Sequence, residues 1–298
     1  MILVTGGTGF IGRHVVARLA EGGEKVRVAA RGDRKVDLPQ GVQQFAANVV
    51  SGEGVAEAMA GVDKVAHLVA VIAEKGDQRF DAVIRGGTAG VLGEAERAGV
   101  KKLVYVSAIG AAPDPKFSYW HAKWQAEQAV AASSLNYVII RPSLVFGPED
   151  DFFNRLERLI RRAPIVPVAG DGKTRFQPIW VEDVVSCVVA CLNDGVHDRE
   201  IVEIGGSEYY SYNEIIDLIR RKLRSRKPKV HVPLWLMRPG TRVLQAFLPS
   251  PPVTTDQLAM LSKDNATALD AVPTAFGFTP KSLRDGLGVP PSPESATE

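Results

Sequence analysis

Apolar residues in the first half of the chain occur in short runs, and longer stretches with helical periodicity lie between them. Ile2 to Val4 is the first apolar run, and a helix with one apolar face is predicted from Phe10 to Ala20. Further strands are predicted at 25–30, 42–46, 62–70, 102–107 and 137–140, and further helices at 54–60, 82–99 and 119–132. Strands that alternate with helices at this spacing predict an α/β fold, a doubly wound parallel sheet covered on both faces.

Loops and prolines become more frequent after Pro142. Asp151 is placed to cap a helix from Phe152 to Arg162, and Ser211 and Glu214 form a capping box at the start of a further helix. The other elements expected here are a helix at 181–192, a strand at 201–204 and a helix at 215–223.

This change of pattern predicts two domains. The sheet domain is expected at 1–148, and later segments around 176–204 return to it. A smaller mixed α/β region, which would bind or cover a substrate, is expected at 149–289. Few residues near the end of the chain predict a helix or a strand, so 290–298 is expected to be a disordered tail.

Four glycines lie between the first predicted strand and the first helix, at Gly6, Gly7, Gly9 and Gly12. Gly6 and Gly7 permit a tight turn. Gly9 lets the backbone approach a pyrophosphate, and Gly12 lets the helix pack close to the strand. The start of the helix also offers unpaired N–H groups and a partial positive charge. This turn predicts a Rossmann-type dinucleotide site, and the alternative is a glycine-rich turn that holds no ligand.

The residues after the second strand bear on the choice of dinucleotide. An acidic residue there binds the ribose hydroxyls of NAD, whereas an arginine accommodates the 2′-phosphate of NADP. Arg31 comes first, Arg34 and Lys35 follow closely, and Asp33 is the only acid nearby. We therefore favour NADP(H), with NAD(H) as the second choice. The alternative is that Arg31 is a solvated loop charge.

Three residues form a candidate catalytic group. Tyr119 and Lys123 are four residues apart on a predicted helix, so they share a face. A lysine cation beside the phenol is expected to lower the tyrosine pKa from about 10 toward neutrality, which would suit a general acid or base. Ser107 ends the fifth strand, at the sheet edge where ligands bind. The alternative is an ordinary surface pair on a helix.

Composition excludes several other classes of function. The net charge of +2 argues against nucleic-acid binding through a strong positive field. Cys187 and Cys191 fall in one predicted helix, so buried thiols are expected rather than a disulfide. His67 is expected to be a packed strand residue, and the histidines lack the spacing of a metal site. No apolar run approaches the roughly 20 residues of a membrane span, and the first strand begins at once, so a cytoplasmic protein without a leader is expected.

The stretch 234–248 is apolar and includes Trp235 and Leu236. We favour a lid over the chain's own substrate cleft. The alternatives are a docking site for a protein partner or for a membrane surface.

The motifs together resemble the short-chain dehydrogenase/reductase superfamily, in its extended and atypical branches (NAD-dependent epimerase/dehydratase-like). The likeness is carried by Thr5-Gly-Gly-Thr-Gly-Phe-Ile-Gly12, by Ser107, Tyr119 and Lys123, and by Arg141-Pro-Ser-Leu-Val-Phe-Gly-Pro148. Within the superfamily the chain is most similar to the nucleotide-binding accessory subunit of respiratory complex I and its bacterial relatives. That likeness is carried by Val106-Ser-Ala-Ile-Gly110, by 146–154, by 176–183 and by Glu203-Ile-Gly-Gly206.

The resemblance implies a catalytic triad of Ser107, Tyr119 and Lys123. It also implies a set of residues that contact the cofactor: Gly6, Gly7, Thr8, Gly9, Phe10, Ile11, Gly12, Arg31, Asn48, Val49, Leu68, Ala70, Tyr119, Lys123, Pro142 and Val145.

Two positions depart from the extended pattern. Asn48 stands where an acidic residue near the adenine is usual, and Ile84 stands where an asparagine often completes a proton relay. Relatives in the complex I branch resemble proteins that hold NADPH largely as a structural element. The leading hypothesis is an NADP(H)-binding oxidoreductase or epimerase-like enzyme for a small alcohol or carbonyl compound. The alternatives are a non-catalytic, cofactor-loaded scaffold or assembly protein, and a sugar-nucleotide epimerase or dehydratase that holds NAD.

Overall fold

The structure is a computed structural model that describes residues 1–32, 36–237, 239, 241 and 254–289. The chain divides into two compact units. The first unit comprises Met1–Pro142 and Val181–Ile204, and the second comprises Ser143–Trp180 and Gly205–Glu298.

The strands are β1 (Ile2–Thr5), β2 (Val26–Ala30), β3 (Gln43–Ala46), β4 (Lys64–His67), β5 (Lys102–Val106), β6 (Asn136–Pro142), β7 (Val145–Phe146), β8 (Val166–Ala169), β9 (Arg175–Phe176), β10 (Ile179–Trp180), β11 (Glu200–Ile204), β12 (Tyr210–Ser211) and β13 (Lys229–Val232). The helices are α1 (Phe10–Glu21), α2 (Val55–Met59), α3 (Gly87–Arg97), α4 (Ser118–Ala132), α5 (Asp151–Arg162), α6 (Val181–Cys191), α7 (Tyr212–Lys222), α8 (Thr255–Met260), α9 (Ala271–Phe276) and α10 (Leu283–Leu287). A π-helical turn at Asp81–Gly86 leads directly into α3.

The first unit is built on a seven-stranded sheet in the order β3-β2-β1-β4-β5-β6-β11, and every neighbouring pair is parallel. The chain runs outward from β1 to β3 and then resumes beside β1 with β4. The carboxyl ends of β1 and β4 therefore flank the topological switch point, where ligands bind in folds of this type. The predicted doubly wound parallel sheet is confirmed.

Burial on both faces explains why these strands are continuously apolar. All residues of β1 and β5 are buried. Helices α2, α3 and α4 contribute to one core together with Leu3, Val65, Leu103 and Ile139 of the sheet. Helix α1 packs against α6, which comes from the later segment of this unit.

The second unit is a smaller mixed structure of short paired strands and helices. Its strands pair as β7 with β10 and β8 with β13, both parallel, and β9 with β12, antiparallel. The core contains buried residues of α5 and α7, among them Phe153, Ile160, Ile215 and Ile219.

Several local expectations are confirmed. Ser211 and Glu214 form the predicted capping box at the start of α7. Cys187 and Cys191 are both buried in α6 as free thiols.

The expected cap of α5 is wrong by one residue. The N-cap is Asp150, whose Oδ1 accepts a hydrogen bond from the backbone N–H of Phe153 at 2.6 Å. Asp151 is instead the first helical residue. An aspartate at either position favours the helix start, so only the backbone geometry distinguishes them.

The predicted tail at 290–298 lies outside the described residues. So do residues 242–248 of the apolar stretch, as well as Arg238 and Gly240. In the part of the chain that the structure describes, no helix has the length and apolar character needed to cross a bilayer. The same residues contain no cluster of His, Cys, Asp or Glu side chains arranged to hold a metal ion.

Candidate functional site

The glycine turn connects β1 to α1. Gly6 has a φ of +75°, and its amide N–H donates to Ala29 O at 3.1 Å. A Cβ at Gly12 would overlap the carbonyl oxygen of Gly6, so only glycine lets the helix lie this close to the turn. Gly7 differs from the expectation, because its φ is not positive. A Cβ there would lie 2.9 Å from both methyl carbons of Val28, so Gly7 is required by packing rather than by turn geometry.

The start of α1 is suited to an anion. Gly9 is its N-cap, no side chain accepts a hydrogen bond there, and the first turn has no acidic residue. A Cβ at Gly9 would approach Gly6 O to 3.1 Å, which is a tight contact, so the close turn favours glycine at this position. Thr8, Phe10 and Ile11 complete the turn and the first residues of the helix. This arrangement fits a pyrophosphate group held by helix N–H groups.

Residues predicted near the adenosine half lie at the ends of β2, β3 and β4. Arg31 is exposed directly after β2, while Asp33, Arg34 and Lys35 lie outside the described residues. Asn48 Oδ1 accepts from Val50 N at 3.0 Å and so shapes the turn after β3. Val49 packs against α3, where a Cβ at Gly87 would lie 2.8 Å from its methyl carbon.

Leu68 and Ala70 follow β4. The amide of Leu68 donates to Thr5 O at 3.0 Å, so this backbone runs beside the glycine turn. A Cβ at Gly6 would lie 3.1 Å from the carbonyl carbon of Leu68. The structure therefore brings the end of β4 and the turn together, as expected of the switch point.

Ser107 follows β5 at the carboxyl edge of the sheet. Its amide donates to Ile140 O at 2.7 Å, which holds it against β6. The side chain is 4% exposed, and its Oγ has no hydrogen-bond partner within the described residues. A buried hydroxyl normally has a partner, so this Oγ fits a site that receives an oxygen of a ligand.

Lys123 lies beside Ser107. Its Nζ donates to Val106 O, the carbonyl of the peptide bond that joins Val106 to Ser107, at 2.7 Å. It also lies 4.9 Å from the ring centroid of Tyr105. Lys123 is 1% exposed, and burial lowers its pKa to about 7.

Tyr119 lies one helical turn before Lys123 in α4 and packs its ring against Phe80 at 5.6 Å between centroids. Burial raises the pKa of Tyr119 to about 12. The expected lowering of this pKa toward neutrality is therefore wrong. Desolvation disfavours the phenolate, and the Lys123 ammonium is directed at a main-chain carbonyl and is itself partly deprotonated near pH 7.

Pro142 and Val145 belong to different units. Pro142 ends β6, and its carbonyl accepts from Ile109 N at 2.9 Å in the first unit. Val145 begins β7 in the second unit and pairs with Ile179.

Two polar groups beside the site were missed or undervalued by sequence reasoning. His67 is fully buried, as expected of a packed strand residue, but it also bridges two hydroxyls. Its Nδ1 lies 2.6 Å from Thr5 Oγ1 and its Nε2 lies 3.0 Å from Thr88 Oγ1. Burial lowers its pKa to about 3, so it is neutral. It ties β1, just before the glycine turn, to α3.

Glu127 is the second such group. It is fully buried in α4, one turn beyond Lys123, and both its oxygens accept from Arg141 at 2.9 and 2.6 Å. Arg141 lies in β6 just before Pro142 and also contacts Glu203 at 3.4 Å. The negative charge of Glu127 opposes the fall of the Lys123 pKa. Its spacing of four residues from Lys123 was the available signal.

Residues 2–205 match the NAD dependent epimerase/dehydratase family. The chain belongs to this family. Among curated proteins, NADH dehydrogenase [ubiquinone] 1 alpha subcomplex subunit 9, mitochondrial, of Arabidopsis thaliana is 27% identical over 90% of this chain and 70% of that protein. A ceramide reductase of Caulobacter vibrioides is 31% identical over 64% of this chain and 60% of that protein. The predicted superfamily is thereby confirmed.

Solved structures of the epimerase/dehydratase type share the fold. MoeE5 in complex with UDP-glucose and NAD has a TM-score of 0.73 at 22% identity, over 97% of this chain and 96% of that one. UDP-glucose 4-epimerase of Thermotoga maritima with UDP-glucose has a TM-score of 0.73 at 24% identity over the same shares. Membership of the family supports NAD(P) binding at the glycine turn. The choice of NADP, the partners and the cytoplasmic location stay predictions.

Proposed function

We propose that this protein is an NADP(H)-preferring oxidoreductase that reduces a carbonyl compound or oxidises the corresponding alcohol. The observation that supports the catalytic part most is the buried Ser107 hydroxyl at the carboxyl end of β5. It has no hydrogen-bond partner among the residues that the structure describes, and Lys123 Nζ donates to the adjoining carbonyl. A hydroxyl in this position suits a polar substrate oxygen that must be held in one orientation.

Each residue has a separate part in this proposal. Ser107 donates its hydroxyl proton in a hydrogen bond to the substrate oxygen. Tyr119 carries its proton at neutral pH, as a phenol with an ordinary pKa near 10 also does, and it would give that proton to a substrate oxygen that gains negative charge. Lys123 holds the peptide before Ser107, and its remaining N–H groups would hold the cofactor ribose. When bound, the nicotinamide supplies or accepts the hydride.

The substrate class is proposed from the relatives. One of them is named a ceramide reductase, which fits carbonyl reduction. The sugar-nucleotide alternative draws on structures solved with UDP-glucose, and it predicts that NAD is held in preference to NADP.

The catalytic proposal is tested by Tyr119→Phe. Mass spectrometry of the small molecule released on denaturation identifies the cofactor, and a panel of carbonyl compounds then identifies a substrate by oxidation of the reduced cofactor. Tyr119→Phe is expected to lower kcat by about 10²- to 10⁴-fold. The matched control is Tyr212→Phe, because burial raises the pKa of Tyr212 to about 12 as well, yet this residue lies in the second unit. Unchanged turnover in Tyr119→Phe would overturn the mechanism.

The cofactor preference is tested by Arg31→Asp and calorimetry with NADPH and NADH. Replacement of the cation by a carboxylate is expected to weaken NADPH binding, because the carboxylate repels the 2′-phosphate, and to leave NADH binding unchanged or tighter. Lys25→Asp is the control, since Lys25 is exposed at the opposite end of the same strand, β2. A wild-type protein that binds NADH more tightly would contradict the assignment of NADP and favour the sugar-nucleotide alternative.

A cofactor-loaded scaffold is the second candidate. Ile84 supports it, because this apolar side chain is fully buried in the π-helical turn where family members often carry a relay asparagine. The complex I subunit among the relatives supports it as well. Co-purification with a stable partner, together with no oxidation of NADPH by any carbonyl of the panel, would establish the scaffold and exclude the enzyme.

A further inference from the structure

One end of the second unit carries an unusual concentration of positive charge. Residues 220–229 contain seven lysines and arginines and no acid. They form the end of α7 and the connection that leads into β13. Arg161 and Arg162 end α5, which lies alongside: Lys227 Nζ donates to Arg161 O at 2.7 Å and to Ile160 O at 2.8 Å.

The exposed arginines at this end of the unit differ from the neighbouring cations in their ion pairs. We call Arg162, Arg221, Arg224 and Arg226 the basic surface; all four are exposed. None of them forms an ion pair with any residue that the structure describes. Other cations of the segment do have partners, since Arg220 and Lys229 pair with Asp217 and Lys222 pairs with Glu157. The basic surface is therefore the part of this segment whose charge is available to an outside ligand.

A continuous pair of grooves is lined by three residues of the basic surface, Arg221, Arg224 and Arg226. One, of about 730 Å³, is lined by Asp217, Arg220, Arg221, Arg224, Ser225 and Arg226. A second, of about 510 Å³, shares Ser225 and Arg226 with the first and extends to Arg161, Pro164 and Pro228. The shared residues make this one surface rather than two separate sites.

A structural role explains only part of the charge. Cations in the last turn of a helix stabilise its carboxyl end, which accounts for Arg162 and Arg221. Arg224 and Arg226 lie beyond the end of α7, and Lys227 already satisfies the last carbonyls of α5. Arg224 also adopts a φ of +51°, the left-handed conformation that favours glycine after a helix. The stabilisation of helix ends therefore does not explain the charges of Arg224 and Arg226.

Apolar side chains accompany the arginines. Ile165 is 43% exposed, three residues after Arg162. Val166 N donates to Pro228 O at 2.9 Å, so the segment with Pro164 and Ile165 lies beside the arginine-rich connection. Cations around a small exposed apolar group are suited to a bilayer interface, where the apolar group inserts and the cations contact lipid phosphates. Single-stranded nucleic acids are bound with aromatic stacking platforms, and none of the residues that line either groove is aromatic.

We propose that the basic surface docks this protein on the surface of an anionic phospholipid bilayer, with Ile165 inserted between headgroups. The proposal does not depend on catalysis. It locates the contact at the ends of α5 and α7.

Co-sedimentation of the full chain with vesicles tests this. Vesicles of phosphatidylcholine alone are compared with vesicles that contain phosphatidylserine, at low and at physiological salt. Binding is expected only with phosphatidylserine and is expected to weaken as salt rises. The triple variant Arg221→Glu, Arg224→Glu, Arg226→Glu should bind about 100-fold more weakly.

Three controls separate the basic surface from general charge and folding. The first control is a triple variant at other exposed lysines, Lys25→Glu, Lys75→Glu, Lys173→Glu. It makes the same change in net charge and should retain most of the binding. Arg224→Gly removes a charge where glycine suits the backbone, so it should bind several-fold more weakly without loss of thermal stability. Ile165→Ser should weaken binding, whereas Leu269→Ser, at a residue of similar exposure, should not.

The proposal is overturned by any of three results: no binding to phosphatidylserine vesicles at low salt, equal loss in the two triple variants, or unchanged binding in the arginine triple variant. Retention of a single-stranded RNA that depends on these arginines, without vesicle binding, would assign the basic surface to a nucleic acid instead.

Discussion

The Nζ of Lys123 donates a hydrogen bond to the main-chain carbonyl of Val106 at 2.7 Å. This bond joins α4 to the end of β5 at the peptide that precedes Ser107. The ammonium is nevertheless buried, and its pKa falls to about 7 from the usual 10.5. Burial of the ammonium at this site therefore costs stability, and that cost depends on pH.

Removal of the Lys123 charge should reveal this cost. Between about pH 7 and 10.5 the unfolded chain binds more protons at this residue than the folded chain does, so stability rises with pH across that window. Lys123→Met should lose this rise, which is at most about 1.4 kcal/mol per pH unit. Urea denaturation at pH 7, 8 and 9 measures it. Lys25→Met, at an exposed lysine, should follow the wild type. Parallel curves for Lys123→Met and wild type would show that Lys123 keeps an ordinary pKa.

A second prediction concerns the contact between Gly12 and Gly6. A Cβ at Gly12 would overlap the Gly6 carbonyl oxygen, and that turn cannot move without moving β1. Gly12→Ala should cost several kcal/mol, on the order of 3 or more, and abolish dinucleotide binding.

The matched control is Gly90→Ala in α3, an exposed helical glycine at which the nearest atom, Val49 O, would lie 3.7 Å from the new Cβ. This variant should be more stable than wild type by about 0.5–1 kcal/mol. Thermal unfolding measures the stability of both variants. An equal change in stability for the two alanine substitutions would refute the packing argument at Gly12.

The elements that sequence reasoning located well have strong local signals. The glycines before α1, the continuously apolar strands and the capping box at Ser211 all depend on residues close together in the chain. The pair β8 and β13 has no such signal. Pro167 lies within β8, and its partner strand begins at Lys229, about sixty residues later. The prolines in and around these segments favour loops when the sequence is considered alone. The pairing that makes them strands joins segments distant in the chain, so no local pattern indicates it.

The candidate site also contains some features that the local sequence identifies and others that only the tertiary structure determines. Ser107 and Lys123 could be identified from spacing and from the motifs of the family. The raised pKa of Tyr119 could not, because it depends on how deeply the tertiary structure buries the hydroxyl. The partners of His67 and Glu127 also come from distant segments. A residue's type suggests what chemistry it can perform, but its burial and partner decide the state in which it is held.

His67 leads to a third prediction. It is neutral in the folded chain because burial lowers its pKa to about 3, whereas the unfolded residue titrates near 6.5. Its stabilising contribution is therefore complete above pH 6.5 and is lost as the pH falls toward 3. His67→Gln should remove this dependence and, at pH 7, cost about 1–3 kcal/mol, since the hydroxyls of Thr5 and Thr88 lose their partner.

Urea denaturation between pH 4.5 and 7 gives both quantities for His67→Gln. The control His231→Gln changes an exposed histidine in β13 and should keep the wild-type dependence on pH. If His67→Gln lost stability with acid as steeply as the wild type, His67 would not be the group responsible.

The last prediction concerns the pair of Glu127 and Arg141. Glu127 is fully buried and accepts two hydrogen bonds from Arg141, so a variant without the guanidinium leaves an uncompensated charge in the core. Arg141→Met should therefore cost about 3–5 kcal/mol. Glu127→Met together with Arg141→Met should recover most of that loss, because the desolvated pair is then replaced by apolar side chains. The exposed pair Arg85 and Asp81 is the control, and Arg85→Met should cost less than about 1 kcal/mol.

The same pair also acts on the site. Glu127 lies one turn from Lys123 and keeps its pKa from falling further. The double variant Glu127→Met, Arg141→Met should retain the fold. Because the Lys123 pKa falls without Glu127, the rise of stability with pH that is assigned to Lys123 should start at a lower pH than in the wild type. Urea denaturation from pH 5 to 9 compares the double variant with wild type. An unchanged onset would mean that Glu127 holds Arg141 alone, and a double variant as unstable as Arg141→Met would mean that the pair is required for packing rather than for charge balance.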